Sequence, residues 1–171
     1  MAKTTTKDWS NKEAAMLIRL WMRIESILLI AILMDRTPSS IQTRALRLEL
    51  PSRELDDSFR RRWTKEEDQE LVSIFEKGNI DIQKLSVEKR RTVDAMISRL
   101  MTRHGYKLRD IEKKLVLPDA ESIYQEGKIK TSGQAQERTC PKCMRPFWST
   151  GFGHRICLSC KSSEDWLDGD I

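Results

Sequence analysis

The chain has 171 residues, a net charge of +5 and an apolar fraction of 39%. A chain of this length forms one domain or two to three small ones, and its low aromatic share argues against one large core. The longest apolar stretch, residues 27–34, is much shorter than the roughly 20 residues of a membrane-spanning helix. Because the N-terminus also lacks the regions of a signal peptide, we expect a cytoplasmic protein that does not bind membranes.

The basic excess is concentrated in residues 1–62, where a linker at 51–61 separates two apolar segments. Phosphate binding depends on local positive density, so this concentration points to nucleic acid. A solvated helix face followed by a flexible basic linker is the alternative explanation. The arginines of this region are Arg44, Arg47, Arg53, Arg60, Arg61 and Arg62.

An internal repeat relates residues 8–50 to residues 62–106. Trp9 matches Trp63 and Trp21 matches Phe75, each with a spacing of 54 residues. The segment RTPSSIQTR at 36–44 matches RTVDAMISR at 91–99 with a spacing of 55. A period of this length indicates two copies of one small structural unit.

Each copy carries the signals of helix starts. Ser10 with Glu13, and Thr64 with Glu67, form the S/T-x-x-E pattern of a capping box, which satisfies free amides at a helix N-terminus. An amphipathic run follows each box at helical spacing. A later run in each copy starts after a threonine that is a suitable N-cap, at position 37 or 92, and Pro38 suits a first helical position. We therefore predict three short helices in each copy.

These motifs resemble the Myb/SANT class of helix-turn-helix repeats, and WTKEED at 63–68 is especially similar to the opening of a Myb repeat. The first copy also resembles bacterial and phage regulators of the GcrA type. The resemblance implies a mainly α fold with two three-helix bundles, and a third helix that enters the DNA major groove. It further implies duplex DNA as a partner, and RNA polymerase or its sigma subunit as another.

Carried over by position, the resemblance nominates DNA-contacting residues in both copies. Glutamine pairs with adenine and arginine with guanine, whereas hydroxyls contact either bases or phosphates. The candidates in the first copy and the linker are Ser39, Ser40, Gln42, Thr43, Arg44, Arg47, Arg60, Arg61 and Arg62. Those in the second copy are Ser98, Arg99 and Arg103. Because Asp94 would face phosphates there, the second copy is the weaker candidate and could instead contact protein or support the first.

The tryptophans of the repeats and the second helix of the first copy bear on packing. Trp9, Trp21 and Trp63 recur at helical spacing, which predicts core positions rather than base-stacking platforms. ESILLIAILMDR, at 25–36, is apolar almost all round, whereas a three-helix unit buries only one stripe. We expect Leu28, Leu29 and Ile32 to pack on another copy of the chain in a homo-oligomer, on the second repeat or on a partner. A helix fully buried in a tight tandem arrangement is the alternative.

Residues 107–139 are predicted to hold short helices followed by a flexible linker, because Pro118 ends one apolar run and the composition turns polar and small after Gly127. Two C-x-x-C pairs come next, separated by 13 residues. Paired turns of this kind deliver four thiolates to a tetrahedral zinc ion, and disulfides are disfavoured in a reducing compartment. The predicted ligands are Cys140, Cys143, Cys157 and Cys160.

Residues 140–161 resemble a zinc ribbon, a small β module, and an acidic tail follows at 162–171. Phe147, Trp148 and Phe152 are expected to cover the metal, since so small a fold has little other core. His154 is a candidate substitute ligand, although a loop histidine is the simpler interpretation. A four-thiolate site is closed, so its zinc would be structural.

These features favour a DNA-binding transcription regulator over an enzyme. The two histidines lie in no recognisable nucleophile or acid/base motif, and no phosphate-cradling glycine loop is present. An adaptor that binds the transcription machinery through its SANT-like and ribbon surfaces is the alternative. In either case the expected location is the cytoplasm, in association with the nucleoid.

Overall fold

A computed structural model describes residues 8–53, 61–131 and 135–163. These residues are mainly helical, with one small sheet beside the four cysteines. None of the described helices is long and apolar enough to cross a membrane. The helices are α1 (Asn11–Trp21), α2 (Ile27–Leu33), α3 (Pro38–Arg47), α4 (Lys65–Lys77), α5 (Ile82–Lys89), α6 (Val93–His104), α7 (Leu108–Glu112), α8 (Ala120–Gln125) and α9 (Leu158–Lys161). The strands β1 (Gln136–Thr139) and β2 (Pro146–Ser149) pair antiparallel.

The two predicted capping boxes are confirmed at the starts of α1 and α4. The Ser10 hydroxyl accepts from the Glu13 amide, and the Glu13 carboxylate accepts from the Ser10 amide at 3.0 Å. Thr64 and Glu67 make the same reciprocal pair, with both distances at 3.2 Å. Each box satisfies amides that have no partner within the helix, and so fixes where the helix begins.

The starts of α3 and α6 also agree with the sequence prediction. The Thr37 hydroxyl accepts from the Ser40 amide at 3.2 Å, and Pro38 is the first helical residue. The Thr92 hydroxyl accepts from the Ala95 amide at 3.1 Å. Both third helices therefore begin at the same point of the repeated R-T motif.

Contacts divide the chain into two units, and the boundary falls inside α3. The first unit combines α1, the part of α3 from Gln42 onward, α8, both strands and α9. The second combines α2, the part of α3 up to Ile41, and the helices α4 to α7. Two self-contained three-helix bundles are not shown by these contacts. The predicted boundaries of the repeats stay a prediction.

In the first unit, α1 packs on α8 and β2. Its apolar face is buried and includes Ala14, Leu17 and Ile18, none of which is exposed to solvent. The amide of Trp148 in β2 donates to the carbonyl of Leu48, the residue after α3, at 3.0 Å. The cysteine module is thus joined by packing and by a backbone hydrogen bond to helices of the predicted first repeat.

In the second unit, α2 packs on α6 and α7, and α5 packs on α6. Leu29 and Ile32 are buried there, and Leu28 is half-buried. Of the alternatives for this apolar helix, contact with the predicted second repeat is the one that the structure contains. That these three residues themselves form an interface with a partner or with another copy stays a prediction.

The Asp94 carboxylate caps the N-terminus of α2. Its oxygens accept from the Ile27 amide at 3.1 Å, from the Leu28 amide at 3.0 Å and from the Ser26 hydroxyl. A carboxylate at a helix start is favourable because free amides and the helix dipole meet it there. The negative charge that looked unsuited to DNA binding therefore has a structural role within the second unit.

Two expectations about packing need correction. The polar segment Gln136–Thr139 is not a flexible linker, because it forms β1. The three repeat tryptophans, Trp9, Trp21 and Trp63, are half-buried rather than core residues. Each has a polar contact: Trp21 donates to the Pro51 carbonyl at 3.0 Å, and arginines lie over the rings of Trp9 and Trp63.

Candidate metal centre and nucleic-acid interface

The four cysteines lie together at one end of the two-stranded sheet. Their Sγ atoms are all within 4.8 Å of one another, and those of Cys143 and Cys157 are 3.7 Å apart. A disulfide needs about 2.05 Å between its sulfurs. Four sulfurs about 2.3 Å from a central zinc are about 3.8 Å from each other. The cluster is therefore spaced for a metal ion and not for disulfides.

Backbone turns hold the first pair of cysteines in place. The Cys140 amide donates to the Arg145 carbonyl at 2.9 Å, and the Met144 amide donates to the Cys140 carbonyl at 2.8 Å. Met144 has a φ of 56°, a left-handed conformation that tightens this turn. The turn brings Cys140 and Cys143 to the same side of the chain.

The ionisation of the thiols depends on burial and on nearby amides. Burial opposes ionisation of Cys140, but backbone hydrogen bonds from Cys157, Cys143 and Lys142 lower the pKa of its thiol to about 6. Burial raises the pKa of Cys157 to about 12 and also raises the pKa of Cys160. Four thiolates without a cation would repel one another, whereas a bound dication stabilises them. The donor set therefore fits a cation that prefers sulfur.

The aromatic cover of the cluster is smaller than expected. Phe147 is 1% exposed and packs with the cysteines. Trp148 is buried too, but successive side chains of a strand point to opposite faces, and β2 meets α1 on its other side. Phe152 is 66% exposed, so the prediction that it covers the metal is wrong. It lies in the turn after β2, where no strand alternation directs it inward.

His154 is not a member of the sulfur cluster. Its Nδ1 accepts from the Thr150 amide at 3.2 Å, and its Nε2 lies 3.2 Å from the Glu49 carboxylate. The Glu49 carboxylate also accepts from the Leu158 amide at 2.8 Å. This histidine is neither a ligand nor a free surface residue, because it ties the loop after β2 to the end of α3.

Helix α3 separates an apolar face from a polar one. Ile41, Ala45 and Leu48 are buried at 0, 3 and 4% exposure. Among the predicted DNA contacts, the exposed residues are Ser39, Gln42, Thr43 and Arg47, and the half-buried ones are Ser40 and Arg44. No acidic residue lies in the first turn of α3. The solvent-facing surface is thus polar and basic.

Sequence reasoning missed one member of this surface, Leu46. It is 79% exposed, although it lies beside the buried Ala45 on the same helix. Helical spacing could have found it, because position 46 falls outside the 41, 45 and 48 stripe. A large apolar side chain on an otherwise polar face is a contact group that the described residues leave uncovered.

The linker arginines differ in their surroundings. Arg60 lies outside the described residues. Arg61 pairs with Glu67 and donates to the carbonyl of Lys89 at 2.9 Å. Arg62 is exposed. Of these three predicted contacts, Arg61 has the clearest role within the chain.

In the second repeat the candidate residues are partly engaged inside the chain. Arg99 donates to Asp68 at 2.6 Å, and this hydrogen bond lowers the pKa of that carboxyl group. Ser98 and Arg103 are exposed. Among its candidates α6 therefore exposes one arginine, Arg103, as α3 exposes Arg47.

No family model, curated protein or solved structure matches the chain significantly.

Proposed function

We propose that this protein is a non-enzymatic transcription regulator that reads duplex DNA with α3 and is stabilised by one structural zinc ion. The observation that carries the proposal is the exposed polar and basic face of α3. A helix with a buried apolar stripe and a free polar face is what major-groove recognition requires.

The exposed side chains of α3 match the donor and acceptor groups of base edges. Gln42 is suited to adenine and Arg47 to guanine, while Thr43 pairs with either bases or phosphates. Leu46 adds an apolar contact of the kind made with the methyl group of thymine. These four residues occupy neighbouring positions on one side of the helix, since residues four apart share a face.

The proposed zinc would be held by the Cys140, Cys143, Cys157 and Cys160 thiolates. When bound, it supplies folding free energy, and its four-sulfur shell leaves no open position for substrate. Phe147 shields the sulfurs, and the carbonyl of Leu48 anchors β2 through Trp148. The metal module would thereby hold the C-terminal end of α3.

Fluorescence anisotropy on zinc-loaded protein and random duplex DNA tests the proposal. We expect binding that weakens steeply between about 50 and 200 mM salt. Once a preferred site has been selected from the random duplexes, Arg47→Ala and Gln42→Ala should each weaken binding to that site by about 1–3 kcal/mol. Arg109→Ala, an exposed arginine on α7, is the matched control and should change little. No binding at low salt would overturn the proposal.

A protein-binding adaptor is the second candidate, favoured by exposed apolar residues of the cysteine module. Met144, Phe152 and Leu158 are 65, 66 and 60% exposed. Exposed large apolar side chains on a small module are typical of protein contacts. The wild type should then retain purified RNA polymerase holoenzyme, and Phe152→Ser should not. This result would favour the adaptor over the DNA reader if substitutions in α3 also had no effect on DNA binding.

A further inference from the structure

The first unit contains a second basic surface, distant in sequence from α3. It is an open groove of about 460 Å³ whose lining includes Lys128, Lys130, Arg138 and Arg155. The two lysines and Arg155 are exposed, and Arg138 is half-buried. Within the described residues none of these four side chains forms an ion pair with a carboxylate. We call this surface the ribbon groove.

The groove is built on an extension of the sheet. Lys130 forms an antiparallel bridge with Gln136, and the Glu137 amide donates to the Ile129 carbonyl at 3.1 Å. Residues 128–130 therefore lie along the edge of β1. When the same antiparallel pairing is continued by two residues, Lys128 lies opposite Arg138.

Strand alternation separates the charges on the two faces of this extension. Lys128 and Lys130 share one face because they are two residues apart, whereas Ile129 points to the other. Glu137 is the acidic residue that lines the groove, and its carboxylate is bound by Arg19 with a side chain only 2% exposed. Among the described residues that line the groove, the one acidic charge is thus already neutralised.

The positive charges are close together, and within the described part of the chain no carboxylate compensates them. Like charges directly opposite each other on neighbouring strands destabilise a sheet. Two of these cations have neutral partners. Lys128 donates to the Thr139 hydroxyl at 3.3 Å. Arg138 donates to the side-chain oxygen of Gln136 when that amide is oriented to satisfy both groups. Arg19, Arg91 and Arg99, by contrast, each have a carboxylate partner. An external anion would relieve the repulsion in the groove.

We propose that the ribbon groove binds the phosphate backbone of duplex DNA. The inference rests on the proposed function, because α3 would supply base contacts while the groove supplies sequence-independent affinity. An open groove with several cations, and with no free carboxylate among the described residues that line it, suits a chain of phosphates better than a single small anion. An acidic protein segment is the competing ligand, and the experiment below separates the two.

The test compares two triple variants of the full-length, zinc-loaded protein in the anisotropy assay. Lys128→Gln, Lys130→Gln and Arg138→Gln remove groove charge. Lys107→Gln, Arg109→Gln and Lys113→Gln remove the same charge from exposed positions in and around α7. Each phosphate contact contributes about 0.9 to the salt slope, so the groove variant should lose about 2.7 and the α7 variant almost nothing.

The possible results lead to different conclusions. A reduced slope in the groove variant alone, with zinc content unchanged, supports the inference. If both triple variants have equal salt slopes while Arg47→Ala still weakens binding, the inference about the groove is overturned. The proposed function is then unaffected. Absence of DNA binding by the wild type overturns both. Displacement of DNA by poly-L-glutamate as effectively as by unlabelled DNA of equal charge would assign the groove to acidic protein instead.

Discussion

The guanidinium of Arg44 lies 5.6 Å from the ring centroid of Trp9, and the same relationship recurs in the second repeat. There Arg99 lies 5.6 Å from the ring of Trp63. Both arginines end the repeated R-T-x-x-x-x-x-x-R motif, and both tryptophans open their repeat. The motif therefore carries a structural contact between the third helix and the tryptophan that precedes the first helix. Cation–π contact at a partly exposed site stabilises by roughly 0.5–2 kcal/mol.

This contact predicts that Arg44 acts mainly in stability. Arg44→Ala should lower the free energy of unfolding by about 1 kcal/mol, because the cation–π contact with Trp9 is lost. Arg47→Ala, on the exposed face of the same helix, should leave stability within about 0.5 kcal/mol. Urea unfolding followed by tryptophan fluorescence measures both. Equal stabilities for the two variants would contradict a packing role for Arg44.

Metal removal gives a second prediction. The purified chain should carry one zinc per molecule, measured by elemental analysis. Chelation should unfold the cysteine module, because its core consists of little more than the cysteines and Phe147. Cys143→Ser should reproduce this loss, while Ser159→Ala, an exposed change in the same module, should not. Full retention of structure by circular dichroism after chelation would contradict a structural metal.

The starts of the helices and the metal ligands could be predicted from the sequence because they depend on local spacing. A capping box needs residues three apart, and a C-x-x-C turn needs its two cysteines in one short segment. The exposed face of α3 followed equally from the helical stripe of Ile41, Ala45 and Leu48. In each case the physical cause lies within a few residues.

What the sequence did not predict depends on distant segments. Strand β1 has the polar sequence QERT and forms because it pairs with β2 and brings Glu137 to Arg19. Likewise, the packing of α2 on α6 depends on the fit of two apolar faces, which periodicity alone does not determine. The prediction that Phe152 covers the metal was wrong because the side chain of a turn residue follows no periodic rule. The ribbon groove was missed since it needs the bridge between Lys130 and Gln136.

The pH dependence of stability should include a contribution from Asp68. The hydrogen bond from Arg99 is the main cause that holds the pKa of this carboxyl group below its ordinary 3.8, and His104 adds to the effect. A lowered folded-state pKa means that the stabilisation is present above pH 3.8 and is lost as the pH falls through the lower folded value. Acid should therefore weaken the second unit.

Asp68→Asn tests this contribution. Near neutral pH it should reduce the free energy of unfolding by roughly 1.5–3 kcal/mol, since a charged hydrogen bond is lost. Once the pH falls below the lowered folded-state pKa, the variant and the wild type should converge, because Asp68 is then protonated in both states of the wild type. Asp110→Asn, at an exposed position, is the control. A difference that stays constant with pH would show that the carboxylate charge is not responsible.

The buried ion pair between Arg19 and Glu137 should be the most sensitive polar contact of the first unit. Arg19 donates to both carboxylate oxygens, at 3.1 and 3.3 Å, and the side chains are 8 and 2% exposed. Arg19 also donates to the Tyr124 carbonyl and lies 4.4 Å from its ring. One residue of α1 thereby joins α8 and β1. Removing either charge leaves the other buried without its partner.

Glu137→Gln should therefore cost about 3–5 kcal/mol of stability, a large part of the 5–15 kcal/mol of a typical domain. The exposed pair of Lys12 and Glu121, also between α1 and α8, is the matched control, and Lys12→Gln should cost less than about 1 kcal/mol. The double variant Arg19→Met with Glu137→Leu should recover much of the loss, because no buried charge remains. Similar costs for the buried and the exposed pair in urea unfolding would refute this role.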